Sequence, residues 1–185
     1  MMSAADDLSL SLAEWLVLCL LCEQSRHGFA LARLLDYEGD LGRVWRVPKP
    51  VVYRGLQRLQ LLGLVATAQQ QPSSQGPVRS LVDVTSAGRS AVAAWLTRPV
   101  EHARDVRSEL LVKLALLDRA GSDSRPLLQA QRDQLRPVAD GLHDRLAAAT
   151  GFERTLALWR YESVSATVRF LDVLCRQTTA GTPAR

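Results

Sequence analysis

An arginine and a glutamine three residues apart on a helix are equipped to read DNA. The Arg guanidinium matches the two acceptors that guanine presents in the major groove, and the Gln amide matches the donor and acceptor of adenine. Arg54 and Gln57 have this spacing within the run PVVYRGLQRLQLLGLV. Lys49, the Tyr53 hydroxyl and Arg58 flank them and suit phosphate oxygens, which set register without reading sequence. Arg79, farther along, is a further phosphate or groove contact. All of these lie in a window, residues 41–82, that holds six basic side chains (Arg43 and Arg46 are the others) and no Asp or Glu. The whole chain has 23 basic and 19 acidic residues, a net charge of +4, so everything outside the window carries a slight negative excess. Positive charge this concentrated, with no acid to repel phosphate, points to a nucleic-acid surface. A basic side on one helix usually means only a solvated face. Here the acid-free stretch continues into a hairpin, and double-stranded DNA is the favoured partner.

No other set of residues points to catalysis. Cys19-x-x-Cys22 has the spacing of a metal or redox motif, but it lies in a uniformly apolar helix without a second Cys pair or a His pair. Buried thiols acting as small apolar side chains are the simpler reading. With Cys175 the cysteines are odd in number, so reduced thiols and a cytoplasmic setting are expected. His27 stands at the entry to a helix, where it either touches DNA or packs at the helix N-terminus. His102 and His143 are far apart, and no Ser/His/Asp arrangement or Gly-rich phosphate loop accompanies them. Neither enzyme activity nor a cofactor or metal is expected. Trp159, Tyr161 and Phe170 either line a pocket for a flat ligand or simply pack. Trp15, Trp95 and Trp159 read as core more readily than as ligand contacts, and Trp45 as an anchor for the loop before the basic helix. The longest apolar run, Trp15 to Cys22, falls far short of the ~20 residues of a bilayer span. Asp6 and Asp7 stand where a signal peptide would be positive, so no membrane association is expected.

Helices and turns must position these groups. Ser11 and Glu14 form a capping box ahead of a helix over 12–23, apolar on nearly all sides and therefore central. A second helix spans about 28–37, broken by Gly39 and Gly42. Pro48 and Pro50 suit the first turn of a third helix, 48–62, in which Val52, Leu56 and Leu59 share one face and Arg54 and Gln57 point the opposite way. Gly63 caps it in the left-handed conformation. Residues 64–69 and 78–84 read as two strands joined by the turn-rich QQPSSQGP. Thr85 caps a fourth helix that Pro99 stops. The remainder is helical: 103–118, then 125–149, kinked or interrupted near Pro137, then 152–177. The last helix carries two apolar stripes. Phe152, Leu156, Trp159, Ala166, Phe170 and Leu174 form one; Leu158, Val164, Val168, Leu171 and Cys175 form the other. Two stripes ask for two neighbours, one of which can be another subunit. The expected fold is mainly α: a winged helix-turn-helix with a two-stranded wing over 8–99, and an all-helical dimerisation or regulatory domain over 100–177. Disorder is expected for the first seven or so residues and for 178–185.

LSLAEWLVLCLLCEQSRHGFALARLL followed by PVVYRGLQRLQLLGLV resembles the PadR family of bacterial transcriptional regulators. The motifs are His27-Gly28-Phe29, Val52-Tyr53-Arg54 with Leu56 and Leu59, and Leu62-Gly63-Leu64-Val65. Val84-Thr85-Ser86-Ala87-Gly88 resembles the wing exit, with Ala94-Trp95-Leu96 after it. Arg107-Ser108-Glu109-Leu110-Leu111-Val112-Lys113-Leu114 is similar to the opening of the helical domain of longer members. The resemblance, over roughly residues 8–177, implies a homodimeric repressor on a pseudo-palindromic operator, in some members released by a small aromatic or amphiphilic effector. It assigns the recognition-helix tyrosine to Tyr53 and the basic wing position to Arg79. Two departures stand out. Phe29 occupies a position where the family often has Tyr, and Ser80-Leu81-Val82-Asp83-Val84 lacks the usual aromatic. The alternative is a winged-helix protein-interaction module without sequence-specific DNA binding, but such a surface need not exclude acids across the whole window.

Overall fold

The computed structural model describes residues 9–71 and 79–179. Residues 1–8, 72–78 and 180–185 lie outside these, and with them most of the expected QQPSSQGP loop and both expected disordered ends, except that Thr178 and Thr179 belong to the last helix. The chain divides into two compact units, Met1–Leu96 and Thr97–Arg185.

The first unit is built around α1 (Leu12–Glu23). Its start is fixed by the expected capping box: the Ser11 amide donates to Glu14 Oε2 at 2.6 Å and the Glu14 amide to Ser11 Oγ at 3.4 Å. Leu16, Val17, Leu18, Leu20 and Leu21 are wholly buried, each contributing about 1.5–3 kcal/mol of burial free energy. Trp15 stacks on Trp95 at 4.9 Å, with the rings 6° from parallel, so both are core, as expected.

After β1 (Arg26–His27), α2 (Gly28–Leu34) ends three residues earlier than the sequence pattern implies. The chain folds back there through successive turns so tight that a Cβ at Gly39 would run into the Leu34 carbonyl, and one at Gly42 into that of Asp36. Leu41 and Val47 are the buried anchors of this connection, whereas Trp45, expected in that role, is exposed. Helix α3 (Lys49–Leu61) follows, with Pro50 in its first turn and Val52, Leu56 and Leu59 buried as their spacing requires. Gly63 ends it at φ +68°.

Strands β2 (Val65–Gln71) and β3 (Arg79–Val84) pair antiparallel, with an irregularity between Thr67 and Gln69. The sheet has three strands rather than two, in the order β1-β3-β2, because Arg26 and His27 pair with Val82 and Leu81. Two residues are too few to display the alternation that marks a strand, yet they pair with Leu81 and Val82 on the other edge of β3. Thr85 then caps α4 (Ser86–Thr97), accepting from the Gly88 amide at 3.2 Å.

In the second unit, the expected single helix over 103–118 is a composite. A 3-10 turn (Ala103–Asp105) and a π turn (Val106–Leu110) precede α5 (Leu111–Arg119). Helix α6 (Arg125–Ala148) runs through Pro137 without interruption. Pro137 and Asp133, whose carbonyl loses its donor there, are exposed, so water can take the missing bond. Gly151, at φ +55°, turns the chain into α7 (Gly151–Thr179). The core joins Val106, Leu110, Leu127, Leu128, Leu135, Val164 and Leu171. The entering segment, residues 98–100, is fastened to it by the buried side chains of Lys113 and Gln131. Lys113 Nζ donates to the Arg98 carbonyl at 2.7 Å and pairs with Glu109 at 2.7 Å, while Gln131 makes both a 2.6 Å and a 3.0 Å bond to the Val100 backbone.

Candidate nucleic-acid interface

Burial of Val52, Leu56 and Leu59 turns the other side of α3 outward. At 100° per residue, Pro50, Arg54, Gln57 and Leu61 share that side, and all four are exposed, Leu61 by 89 %. Lys49 and Tyr53 lie next to them, also exposed. Among the described residues, no carboxylate pairs with Arg43, Lys49 or Arg54. Gln60 Nε2 donates to Thr67 Oγ1 at 3.2 Å, tying the end of this helix to β2.

Arg58 is placed differently from the expectation. Its Nη1 donates to both oxygens of Glu14 at 3.1 Å and its Nη2 to the Ser9 carbonyl at 2.9 Å. Glu14 is 6 % exposed, so its carboxylate needs these donors together with the cap of α1. Gly55 lies against the same side chain: a Cβ there would sit 3.4 Å from Glu14 Cγ, at van der Waals contact. Arg58 thus holds α3 to α1. Arg46 likewise meets Asp36 at 3.3 Å. The window contains no acid in sequence, but among the described residues the fold brings acids to Arg46 and Arg58.

His27 lies within β1, half-buried, with Nδ1 3.1 Å from the Ser80 carbonyl. A carbonyl only accepts, so Nδ1 carries the proton and donates; the imidazole braces the sheet. Arg79 opens β3, opposite Gln71. Beside α3, the start of α2 is pressed against the Tyr53 ring: a Cβ at Gly28 would lie 2.9 Å from Tyr53 Cε1. The next residue, Phe29, is 57 % exposed, and the Lys49 ammonium stands 5.5 Å from its ring centroid. Neither Leu61 nor the Phe29–Lys49 contact was singled out from the sequence, although the spacing of Leu61 from Arg54 and Gln57 was there to be read.

The three aromatic residues considered for a ligand pocket are not brought together. Tyr161 sits about 200° around α7 from Trp159, tilted against His143 at 5.3 Å. It lines an open groove of about 540 Å³ with Arg136, Asp140, His143, Arg169 and Asp172. Trp159 and Phe170 are exposed on another face, against the expectation of plain packing for Trp159. Cys19 is buried, and Cys22 is half-buried, its thiol pKa raised chiefly by burial. Among the described residues, no three or more His, Cys, Asp or Glu are grouped to hold a metal, and no helix is long and apolar enough to cross a membrane.

No curated protein has a sequence that matches this chain. Among solved structures, Bacillus subtilis PadR in complex with operator DNA is 16 % identical, covering 91 % of this chain and 99 % of that one at a TM-score of 0.47. The Vibrio cholerae virulence activator AphA is 20 % identical over 92 % of this chain and 99 % of that one, with a TM-score of 0.40. Bacillus subtilis PadR in complex with p-coumaric acid is 15 % identical over 97 % and 99 %, with a TM-score of 0.41. The model of the transcriptional regulator PadR-like family matches residues 17–94, which take in α2, α3, all three strands and most of α1 and α4. Over these residues the chain is a domain of the transcriptional regulator PadR-like family.

Proposed function

We propose that this chain is a DNA-binding transcriptional repressor that acts as a homodimer on a pseudo-palindromic operator. One observation carries the reading. The outward side of α3, within the PadR-like domain, presents Arg54 and Gln57 beside Lys49 and Tyr53, and among the described residues no carboxylate pairs with the two cations. Arg54 and Gln57 read base edges in the major groove, and Lys49 and Tyr53 hold phosphates. Arg79 is a wing contact in this proposal. Arg58 and His27 are not part of it, because their polar atoms serve the fold.

A second copy is supported by α7. Its stripe of Val164, Val168, Leu171 and Cys175 packs against the rest of the unit. Phe152, Trp159, Ala166 and Val173 recur every seven residues on another side, with Phe152 77 % and Trp159 70 % exposed and Phe170 beside them. A seven-residue apolar repeat is the seam of a helix pair, and two copies of α7 would cover each other's aromatics. Trp159, Tyr161 and Phe170 form no common pocket within one chain, so they do not support release by a small aromatic or amphiphilic effector.

The test is a binding titration with duplexes from the protein's own promoter at several salt concentrations. Counterion release makes the logarithm of the binding constant fall linearly with that of salt, by about 0.9 for each phosphate neutralised. Salt-insensitive binding, or binding to a protein partner alone, would contradict the proposal.

A further inference from the structure

Phe29 has no burial to explain it. The core positions of its helix are taken by Leu31 and Ala32, and Leu35 just beyond, while Phe29 stays 57 % exposed. What its ring does touch is a cation: Lys49 Nζ lies 5.5 Å from the ring centroid. The two residues come from different helices, and their relative position is fixed one residue away, where Gly28 lets the start of α2 press on Tyr53 and Leu56. Lys49 is otherwise exposed, and among the described residues no carboxylate competes for it. A free lysine side chain loses much rotamer freedom when it is immobilised on a phosphate. An ammonium already resting on an aromatic face has lost part of that freedom before DNA arrives.

We propose that Phe29 is a positioning residue for DNA binding, whose ring face holds the Lys49 ammonium at the entrance of α3, ready to meet a backbone phosphate. This rests on the DNA-reading proposal above. The attraction comes from the ring quadrupole, so it needs an aromatic residue and not merely apolar bulk, and tryptophan serves best.

The test is a double-mutant cycle on a promoter-derived duplex, comparing the wild type, Phe29→Leu, Lys49→Gln and the double variant, with Phe29→Trp as the rescue and thermal melts of each as the check on folding. Phe29→Leu is expected to weaken binding about two- to fivefold, the range for an exposed cation–π contact. Phe29→Trp should bind at least as tightly as the wild type, and Phe29→Leu should have no further effect once Lys49 is Gln. Wild-type binding that is unchanged in Phe29→Leu, or a Phe29→Leu loss that persists in the Lys49→Gln background, overturns the positioning role while leaving DNA reading intact. A wild type that binds no duplex overturns both.

Discussion

Arg58 and Glu14 are joined by two 3.1 Å hydrogen bonds that fasten the helix presenting Arg54 to the capped start of the central helix. The carboxylate is buried and the guanidinium half-exposed, so solvent screens the pair from one side. Removing the arginine leaves a buried carboxylate with only its capping bonds, and also frees the Ser9 carbonyl. Arg58→Ala is therefore expected to lower unfolding free energy by about 1 kcal/mol, less than a fully buried pair would lose. Urea denaturation measures this. The same variant should lose less DNA affinity than Arg54→Ala when both are fully folded; the reverse order would return Arg58 to the interface.

Arg54 and Lys49 separate in the kind of loss they cause. Arg54→Ala should cost about 1–3 kcal/mol on the preferred duplex and relax the preference at one base pair. Lys49→Gln should weaken all duplexes alike and reduce the salt slope by about 0.9. Competition titrations across single-base variants of one duplex distinguish the two patterns.

Much of this division was legible in the sequence, and the part that was not has a physical cause. Val52, Leu56 and Leu59 recur at helical spacing, so the buried side of α3, and hence the outward side with Arg54 and Gln57, follows from local pattern alone. Arg58 is only about 40° around the helix from Arg54. Its fate was decided by Glu14, 44 residues away in sequence. A cation that finds a buried partner across the fold looks no different, in sequence, from one left to solvent. The third strand was hidden because two residues show no periodicity. The π turn was hidden because Val106, Leu110 and Leu114 keep nearly the same side in either helical form. Trp159 reads as core in the sequence because a large aromatic needs cover, and a single chain does not supply it.

That missing cover leads to a prediction about assembly. Replacing Trp159 with Glu, or Phe152 with Glu, should yield a folded monomer under conditions where the wild type is a dimer, as measured by light scattering of the eluting protein. Both side chains are exposed within one chain, so the melting of the monomer itself should change little. DNA affinity should fall with dimerisation, because two linked half-site contacts act at high effective concentration. A dimer that survives both substitutions would place its seam elsewhere.

Cys22 offers a pH-dependent observable. Burial raises its pKa, Arg89 opposes the shift, and Asp83 and Glu23 add to it. A raised pKa means a smaller thiolate fraction at any given pH between neutrality and pH 9, and the thiolate is the nucleophile. Alkylation of Cys22 by iodoacetamide at pH 8 should be slower in the native protein than in urea, where the thiol regains its ordinary pKa. Mass spectrometry of Cys22-containing peptides reads the rates. Equal rates in the two states would contradict the burial.

Whether the outward side of α3 reads base sequence is decided by selection from a random duplex pool with the purified protein. The wild type is predicted to enrich two inverted copies of one short motif, centred one helical turn or a multiple of it apart, about 34 Å per turn. Arg54→Ala should lose one position of that motif while keeping the dyad. Enrichment of no sequence by the wild type, or the same motif recovered by Arg54→Ala, would mean that the outward side of α3 does not read bases.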